Sequence, residues 1–445
     1  MDEEYDVIIL GTGLTECILS GILAVEGKKV LHIDRNDFYG GECASLNLTQ
    51  LYQRFRNGAP VPAELGRDRD YYIDLIPKFL MQDEGLVEVL QYTDVLRYLD
   101  FVAISTSMVY CDGKVYKVPS TPSEGLTSPL VGFFQKNSAR KFIEFLLGWK
   151  KDDPSTHQGL DLEKVTMNDV YKHFSFNEDT QEFIGHAMAL HLDEKYKTRP
   201  AIETCRPATM YLKSAASAVA RKTGSPYIYP QFGLGDLPQS FARLSAVYAG
   251  TFMLNTPVDE IVREGGKFVG VRSGDQVARA KQVIGDPSYF RENVRKTGRV
   301  IRAICFLREP IPNTSANSAQ IIMPQRQIGR EHDIYITCLS HEQKVCPQGR
   351  WIASISTIAE TDGEPKDEIA QALKLVGPIE QIFVSVSDVY EPVDDGAASN
   401  VFISRSYDAT SHFETIYNDV KDLYKRITGN ELTLKKKPSA GAEQA

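Results

Sequence analysis

The sequence predicts an α/β fold: a discontinuous, Rossmann-type large domain interrupted by a smaller all-helical insertion. Three observations carry this. Residues 5–34 read as strand, glycine turn, helix, strand; residues 120–226 switch to helical periodicity; and strand-like runs return from residue 227 onward.

Taken in order, Val7-Ile8-Ile9-Leu10 is a short apolar run of buried-strand type. A glycine turn at 11–13 follows, and Leu14, Ile18 and Ile22 then recur on one helical face. Gly27 ends that helix, and Val30-Leu31-His32-Ile33 gives a second strand closing on Asp34. Thr121-Pro122-Ser123-Glu124 reads as a capping box with proline in the first helical position. Pro129 then either kinks that helix or marks a fresh one capped by Ser128. Thr166-x-x-Asp169 predicts another start, for a helix bearing Val170 and Phe174. Phe183, Ile184, Ala187 and Met188 mark a further helix, and the Ala/Ser-rich stretch 208–220 permits close helix packing. Strands are expected at 252–262, 267–272, 281–285, 300–307, 333–339, 351–358 and 382–390. A last helix is expected to start at Ser411-x-x-Glu414 and run to Gly429, with a disordered tail beyond. The domains are therefore read as 1–119 with 227–430 (large), 120–226 (helical) and 431–445 (tail).

Composition narrows the function. The 445 residues carry 50 Lys+Arg against 59 Asp+Glu, a net charge of −9, which argues against nucleic acid as partner because that affinity rests on neutralising phosphates. Hydrophobic content of 42% and charged content of 24% are globular values, and no apolar run approaches the ~18 residues of a membrane span. The acidic opening Met1-Asp2-Glu3-Glu4 resembles no targeting segment, so a cytoplasmic location is expected. Seven scattered cysteines without a C-x-x-C, and eight histidines without an H-x-x-x-H pair, predict reduced thiols and no metal site. No nucleophile elbow, P-loop or zinc spacing occurs, so an enzyme is not expected. The acidic cluster Glu391-Pro392-Val393-Asp394-Asp395-Gly396 offers a carboxylate pair, but its proline and glycine make an exposed turn the better reading.

Gly11-x-Gly13 stands where a dinucleotide fingerprint belongs, and Asp34 lies about 20 residues on, where a ribose would be met. The third small residue of that fingerprint is replaced by Glu16. A carboxylate in the first helical turn satisfies the positive helix end itself and repels a pyrophosphate. The residues leave two readings open, a bound FAD or NAD and a relic of such a site. Glu16 favours the relic, so no cofactor is expected.

Asp6–Cys17, Asp34–Gly41, Asp74–Leu80, Tyr229–Ser245 and Ser406–Asp408 closely resemble the motifs of the Rab GDP dissociation inhibitors, across essentially residues 1–428. The resemblance implies a large domain related to FAD-dependent monooxygenases that has lost its cofactor. It also implies binding of GDP-bound, geranylgeranylated Rab GTPases, shielding of the isoprenoid lipid, and transient membrane contact. By the same resemblance, Tyr39, Asp236, Gln239, Arg243, Thr251, Phe252 and Met253 belong to a Rab-binding platform, with the basic pair Arg67 and Arg69 nearby. Arg221 matches a membrane-engaging loop. Family members usually carry Glu where Asp236 stands and Tyr where Phe252 stands. On residue type alone, Asp236 could be a helix cap and Arg243 a solvated position. The apolar residues Phe133, Phe134, Phe142, Phe145, Leu146, Ile184, Met188 and Met210 are candidates for a lipid slot or simply for a helical core. Methionine suits a slot because it adapts its shape. The alternatives to a Rab GDP dissociation inhibitor are a flavin-dependent oxidoreductase on the same fold and an escort-like adaptor.

Overall fold

The computed structural model of the chain describes residues 4–82, 85–119 and 135–434. Its first sheet grows from the N-terminal strand Glu4–Leu10, whose Val7–Leu10 are fully buried. That strand pairs in parallel with Val30–Ile33 on one side and Gln276–Gly285 on the other, as expected of an apolar run covered on both faces. Thr251–Met253 extends the sheet in parallel beyond Val30–Ile33, placing Phe252 opposite His32. On the far side Lys267–Ser273 and Glu260–Glu264 continue it antiparallel, and Val401–Ile403 pairs with the end of Gln276–Gly285.

Helix Leu14–Val25 packs between the helices Asp236–Val247 and Glu414–Thr428. Gly21 permits the first contact: a Cβ there would meet Leu244 and Phe241 side-chain atoms at 3.1 Å. A second seven-stranded sheet holds, in order, 381–392, 294–307, 351–358, 334–340, 319–323, 106–111 and 114–117. A small three-stranded sheet of Leu80–Met81, Tyr227–Pro230 and Phe101–Ala103 lies apart from both.

Between 135 and 220 the described elements are helical, with Lys136–Gly148, Met167–His173, Glu178–Glu182 and Ile202–Ala220 as the main pieces. The Thr166 capping box forms, the Asp169 carboxylate accepting from Thr166 N at 2.8 Å. Phe183–Met188 departs from the expected α-helix and is π-helical. This segment is tied to the second sheet: buried His186 bonds Asp333 at 2.7 Å and Glu194 at 2.9 Å, and Arg326 pairs with Glu182 and Asp179. Burial alone would keep His186 neutral, but the Asp333 and Glu194 carboxylates raise its pKa to about 10.

The structure corrects several elements. The expected strand 252–262 is two strands separated by a turn in which Asn255 is left-handed and Pro257 lacks an N–H. Ser411 does not cap the last helix, which starts at Glu414; its hydroxyl instead accepts from Gln320 Nε2 at 2.9 Å. Strands 106–111, 114–117, 319–323 and 401–403 had no counterpart in the sequence reading. The run Glu391–Asp395 closes a strand and opens the turn expected of it, Asp394 and Asp395 accepting from Gly396 N and Ala397 N. The 121–124 capping box, Ser128, Pro129, Phe133 and Phe134 lie outside the described residues.

Candidate functional site

Sequence candidates gather at two places, the glycine turn and a groove beside the helix Asp236–Val247. At the turn, Gly11 adopts φ 92°, which glycine takes without strain. The next amide, Thr12 N, donates to Asp34 Oδ2 at 2.6 Å, and Thr12 Oγ1 donates to the same oxygen at 2.5 Å. Asp34 Oδ1 accepts from Asn36 N and Nδ2 at 2.8 and 3.0 Å. The carboxylate expected to meet a ribose is thus committed to its own loop. The first helical amide, Leu14 N, donates to the Tyr407 hydroxyl at 2.9 Å.

Glu16 is 1% exposed and accepts from Ser404 Oγ at 2.6 Å. A Cβ on Gly13 would meet Glu16 Oε2 at 2.5 Å, and one on Gly11 would meet Asp286 Oδ2 at 2.5 Å. The space beside each glycine, where a Cβ would sit, is therefore taken by a carboxyl group. Burial, reinforced by the Asp286 charge, pushes the Glu16 pKa up to about 8, and burial raises that of Asp286 as well. This corrects the charge argument made from sequence: near neutral pH Glu16 is mostly protonated, so it blocks by occupying space and taking hydrogen bonds, not by repulsion. The residues present do not fit a dinucleotide. A cleft of about 390 Å³ opens onto the turn, lined by Gly11, Thr12, Gly13, Glu16 and Asp34 and, further out, by Arg35, Tyr289, Tyr390 and Arg405. Among the described residues no group of His, Cys, Asp and Glu is placed to hold a metal, and all seven cysteines are free.

The second place is a groove of about 500 Å³ lined by Tyr39, Tyr98, Asp236, Gln239, Arg243, Phe252 and small neighbours. Helical spacing puts Asp236, Gln239 and Arg243 on one face at i, i+3 and i+7. The adjacent strand brings Phe252, whose ring stacks on buried His32 at 4.7 Å and meets Tyr39 edge-on at 6.0 Å. Arg243 lies over the Tyr98 ring, its guanidinium carbon 4.5 Å from the centroid. Asp236 is the first helical residue and makes no capping bond, so the cap reading is set aside; burial raises its pKa. Gln239 Nε2 donates to Gly235 O at 3.1 Å.

The other sequence candidates fall elsewhere. Thr251 is exposed at the start of its strand, and Met253, two residues on, packs against the apolar cluster containing Leu31 and Ile33. Arg67 and Arg69 are exposed on the loop 67–70, where Arg67 forks onto Asp70 at 2.8 and 3.1 Å. Neither lines the groove. Arg221 follows the helix Ile202–Ala220 and donates to Ser217 Oγ at 2.7 Å. Phe142, Phe145, Leu146, Ile184 and Met188 are buried in one continuous apolar cluster, with Met210 half-buried against it. Phe142 meets Phe174 and Phe176 at 5.3 and 5.4 Å. Tyr98 at the groove, and Ser404 and Asp286 at the turn, were missed by sequence reasoning, and Tyr407 stood in the motif Ser406–Asp408 without a role. No local pattern marks these pairings, since each residue reaches its partner across 145 residues or more of chain.

The family profile described as GDP dissociation inhibitor matches residues 1–439. The chain is 57% identical over 440 residues to "Probable secretory pathway GDP dissociation inhibitor 1" of Schizosaccharomyces pombe, covering 98% of this chain and 99% of that protein. It is 52% identical over 446 residues to the Rab GDP-dissociation inhibitor of Saccharomyces cerevisiae, covering 98% of each. A solved Rab GDI from Plasmodium falciparum superposes with a TM-score of 0.92 at 42% identity, covering 97% of this chain and all of that one. An oxidoreductase from Methanosarcina mazei, 13% identical, superposes at TM-score 0.59 over 95% of this chain and all of that one. That likeness concerns the fold alone and agrees with the expected monooxygenase-like large domain.

Proposed function

The chain belongs to the GDP dissociation inhibitor family, and from that premise we propose that it regulates Rab GTPases by holding their GDP-bound, geranylgeranylated form. It is a regulator, not an enzyme. The observation that carries the reading is the groove at Asp236–Val247, where Gln239 and Arg243 of that helix meet Tyr39 and Phe252 from two other segments. Aromatic and arginine side chains set around a partly desolvated hollow are the usual anchors of a protein interface. The GTPase switch segments are ordered differently with GDP and GTP, so a surface fitted to one state discriminates against the other.

In this reading residues 1–119 and 227–430 form the Rab-binding domain, and 120–226 take up the prenyl chain. At ~0.8 kcal/mol per buried CH₂, a chain of about 20 carbons represents on the order of 16 kcal/mol as an upper bound, so only a deep apolar slot competes with a bilayer. Phe142, Phe145, Leu146, Ile184 and Met188 are buried in a continuous apolar cluster with Met210 half-buried against it, so lipid entry requires packed side chains to part. The π-helical segment Phe183–Met188 is the natural place for that rearrangement, because π-turns are rare and occur frequently at functional sites. Two linked contacts, protein and lipid, make extraction from a membrane tighter than either alone. Arg221 stands at the exposed end of the helix Ile202–Ala220, where membrane contact would occur. Among the described residues no helix is long and apolar enough to cross a membrane.

The test is capture of a prenylated Rab GTPase loaded with GDP or with a non-hydrolysable GTP analogue, using wild type and Arg243→Ala. Preferential capture of the GDP form, weakened about tenfold or more by Arg243→Ala, is expected. Equal capture of both nucleotide states, or no capture of either, overturns the reading.

A further inference from the structure

The ring that Arg243 rests on belongs to a residue with no assigned role. Tyr98 ends a short 3₁₀ turn, Val95–Tyr98, whose Val95 is fully buried and which packs against the helix carrying Arg243. The turn braces itself. Arg97 pairs with Asp94 at 2.9 Å and donates from Nη2 to the Tyr98 hydroxyl at 2.6 Å. The Arg97 guanidinium carbon also lies 4.7 Å from the Tyr98 centroid, close to the 4.5 Å of Arg243. One half-buried ring therefore serves two cations at the edge of the groove.

We propose that Tyr98 is a positioning residue for partner binding: its π face holds the Arg243 guanidinium over the groove, ready to meet an acidic side chain of the bound GTPase. This rests on the proposed function above and names a residue that the family motifs did not supply. The physical argument is one of pre-organisation. A free arginine has many rotamers, and ordering it at the moment of binding weakens the complex. A cation held against an aromatic face is already confined. The ring itself is carried on a turn anchored by the buried Val95 and packed against the helix of Arg243, so it stays in place without its hydroxyl bond to Arg97.

The experiment compares affinities of the full chain for one GDP-loaded, geranylgeranylated Rab GTPase. Tyr98→Leu keeps apolar bulk and removes the π face; Tyr98→Met, more adaptable in shape, is a second non-aromatic variant. Tyr98→Phe keeps the ring and loses only the hydroxyl. Tyr98→Leu and Tyr98→Met are expected to weaken binding about three- to tenfold, with Tyr98→Phe close to wild type. In an Arg243→Ala background Tyr98→Leu is expected to add nothing, because the two residues act as one unit. Circular dichroism and melting temperature check that each variant folds. The inference is overturned if Tyr98→Leu leaves affinity unchanged, if Tyr98→Phe loses as much as Tyr98→Leu, or if the loss is the same with and without Arg243. Should Arg243→Ala itself bind as wild type, it is the platform reading that falls.

Discussion

Replacing Glu16 by glutamine tests the physical picture of the blocked glycine turn. Burial first, and the Asp286 carboxylate second, lift the Glu16 pKa from its ordinary 4.5 to about 8, with the Ser404 hydrogen bond opposing them. Between those values the folded protein binds a proton that the unfolded chain has released. The slope of unfolding free energy with pH is then negative, so this group's contribution to stability is present below pH 4.5 and lost as pH rises toward 8. At about 1.36 kcal/mol per unit, the contribution lost by pH 7 is roughly 3 kcal/mol. Glutamine has the same shape, keeps an acceptor for Ser404, and never ionises. Glu16→Gln should therefore raise stability at pH 7 by up to about 3 kcal/mol, which for a chain of this length is roughly 3 °C in melting temperature. The gain should shrink steadily as pH falls and vanish near pH 4.5. Thermal melts of both proteins at half-unit steps from pH 4.5 to 8 read this directly. A difference that is flat with pH, or that grows toward acid, would refute the reasoning.

Lys78 is 1% exposed and donates to Asp408 Oδ1 at 2.7 Å and to Thr410 O at 2.6 Å. Lys78→Met should lower stability by about 3–5 kcal/mol by stranding Asp408, and the pair Lys78→Met with Asp408→Asn should recover part of it in chemical denaturation. His186 is held protonated by Asp333 and Glu194 with a pKa raised to about 10, so its stabilisation is full below pH 6.5 and fades as pH rises toward 10. The wild-type melting temperature should accordingly fall more steeply from pH 7 to 10 than that of His186→Gln, and identical slopes would exclude the assignment. Gly11→Ala places a Cβ 2.5 Å from Asp286 Oδ2 at a φ of 92°, and should cost more than about 1 kcal/mol in the same melts. A geranylgeranylated peptide should alter hydrogen exchange in 136–148 and 183–188 while leaving 236–253 unchanged; the reverse pattern would move the lipid away from the helical layer.

What the residues disclosed by themselves was local. The apolar run Val7–Leu10, the glycine turn and the 3.6-residue spacing of Leu14, Ile18 and Ile22 lie within 16 consecutive positions, so short-range periodicity sufficed. The same holds for the Thr166 capping box, whereas Asp236, Gln239 and Arg243 came from the family motif and their shared helical face is seen only in the structure. The strand 319–323 was not legible, because its burial comes from pairing with 106–111 on one side and 334–340 on the other. The three-residue strand Val401–Ile403 is too short to carry a period at all. Glu16 was recognised as out of place, but its protonation was misjudged, because desolvation is a property of surroundings assembled from Ser404, Tyr407 and Asp286.

The sequence alone therefore determined the N-terminal βαβ unit, the departure from a dinucleotide fingerprint and, through its long motifs, the family. Tertiary structure decided which groups close the old cradle and which ring steadies Arg243. Tyr407 reaches Leu14 N, and Tyr98 reaches Arg243, only after sheets and helices have brought distant segments together. Periodicity reports which side of an element is buried; it holds no information about which distant residue will lie against it.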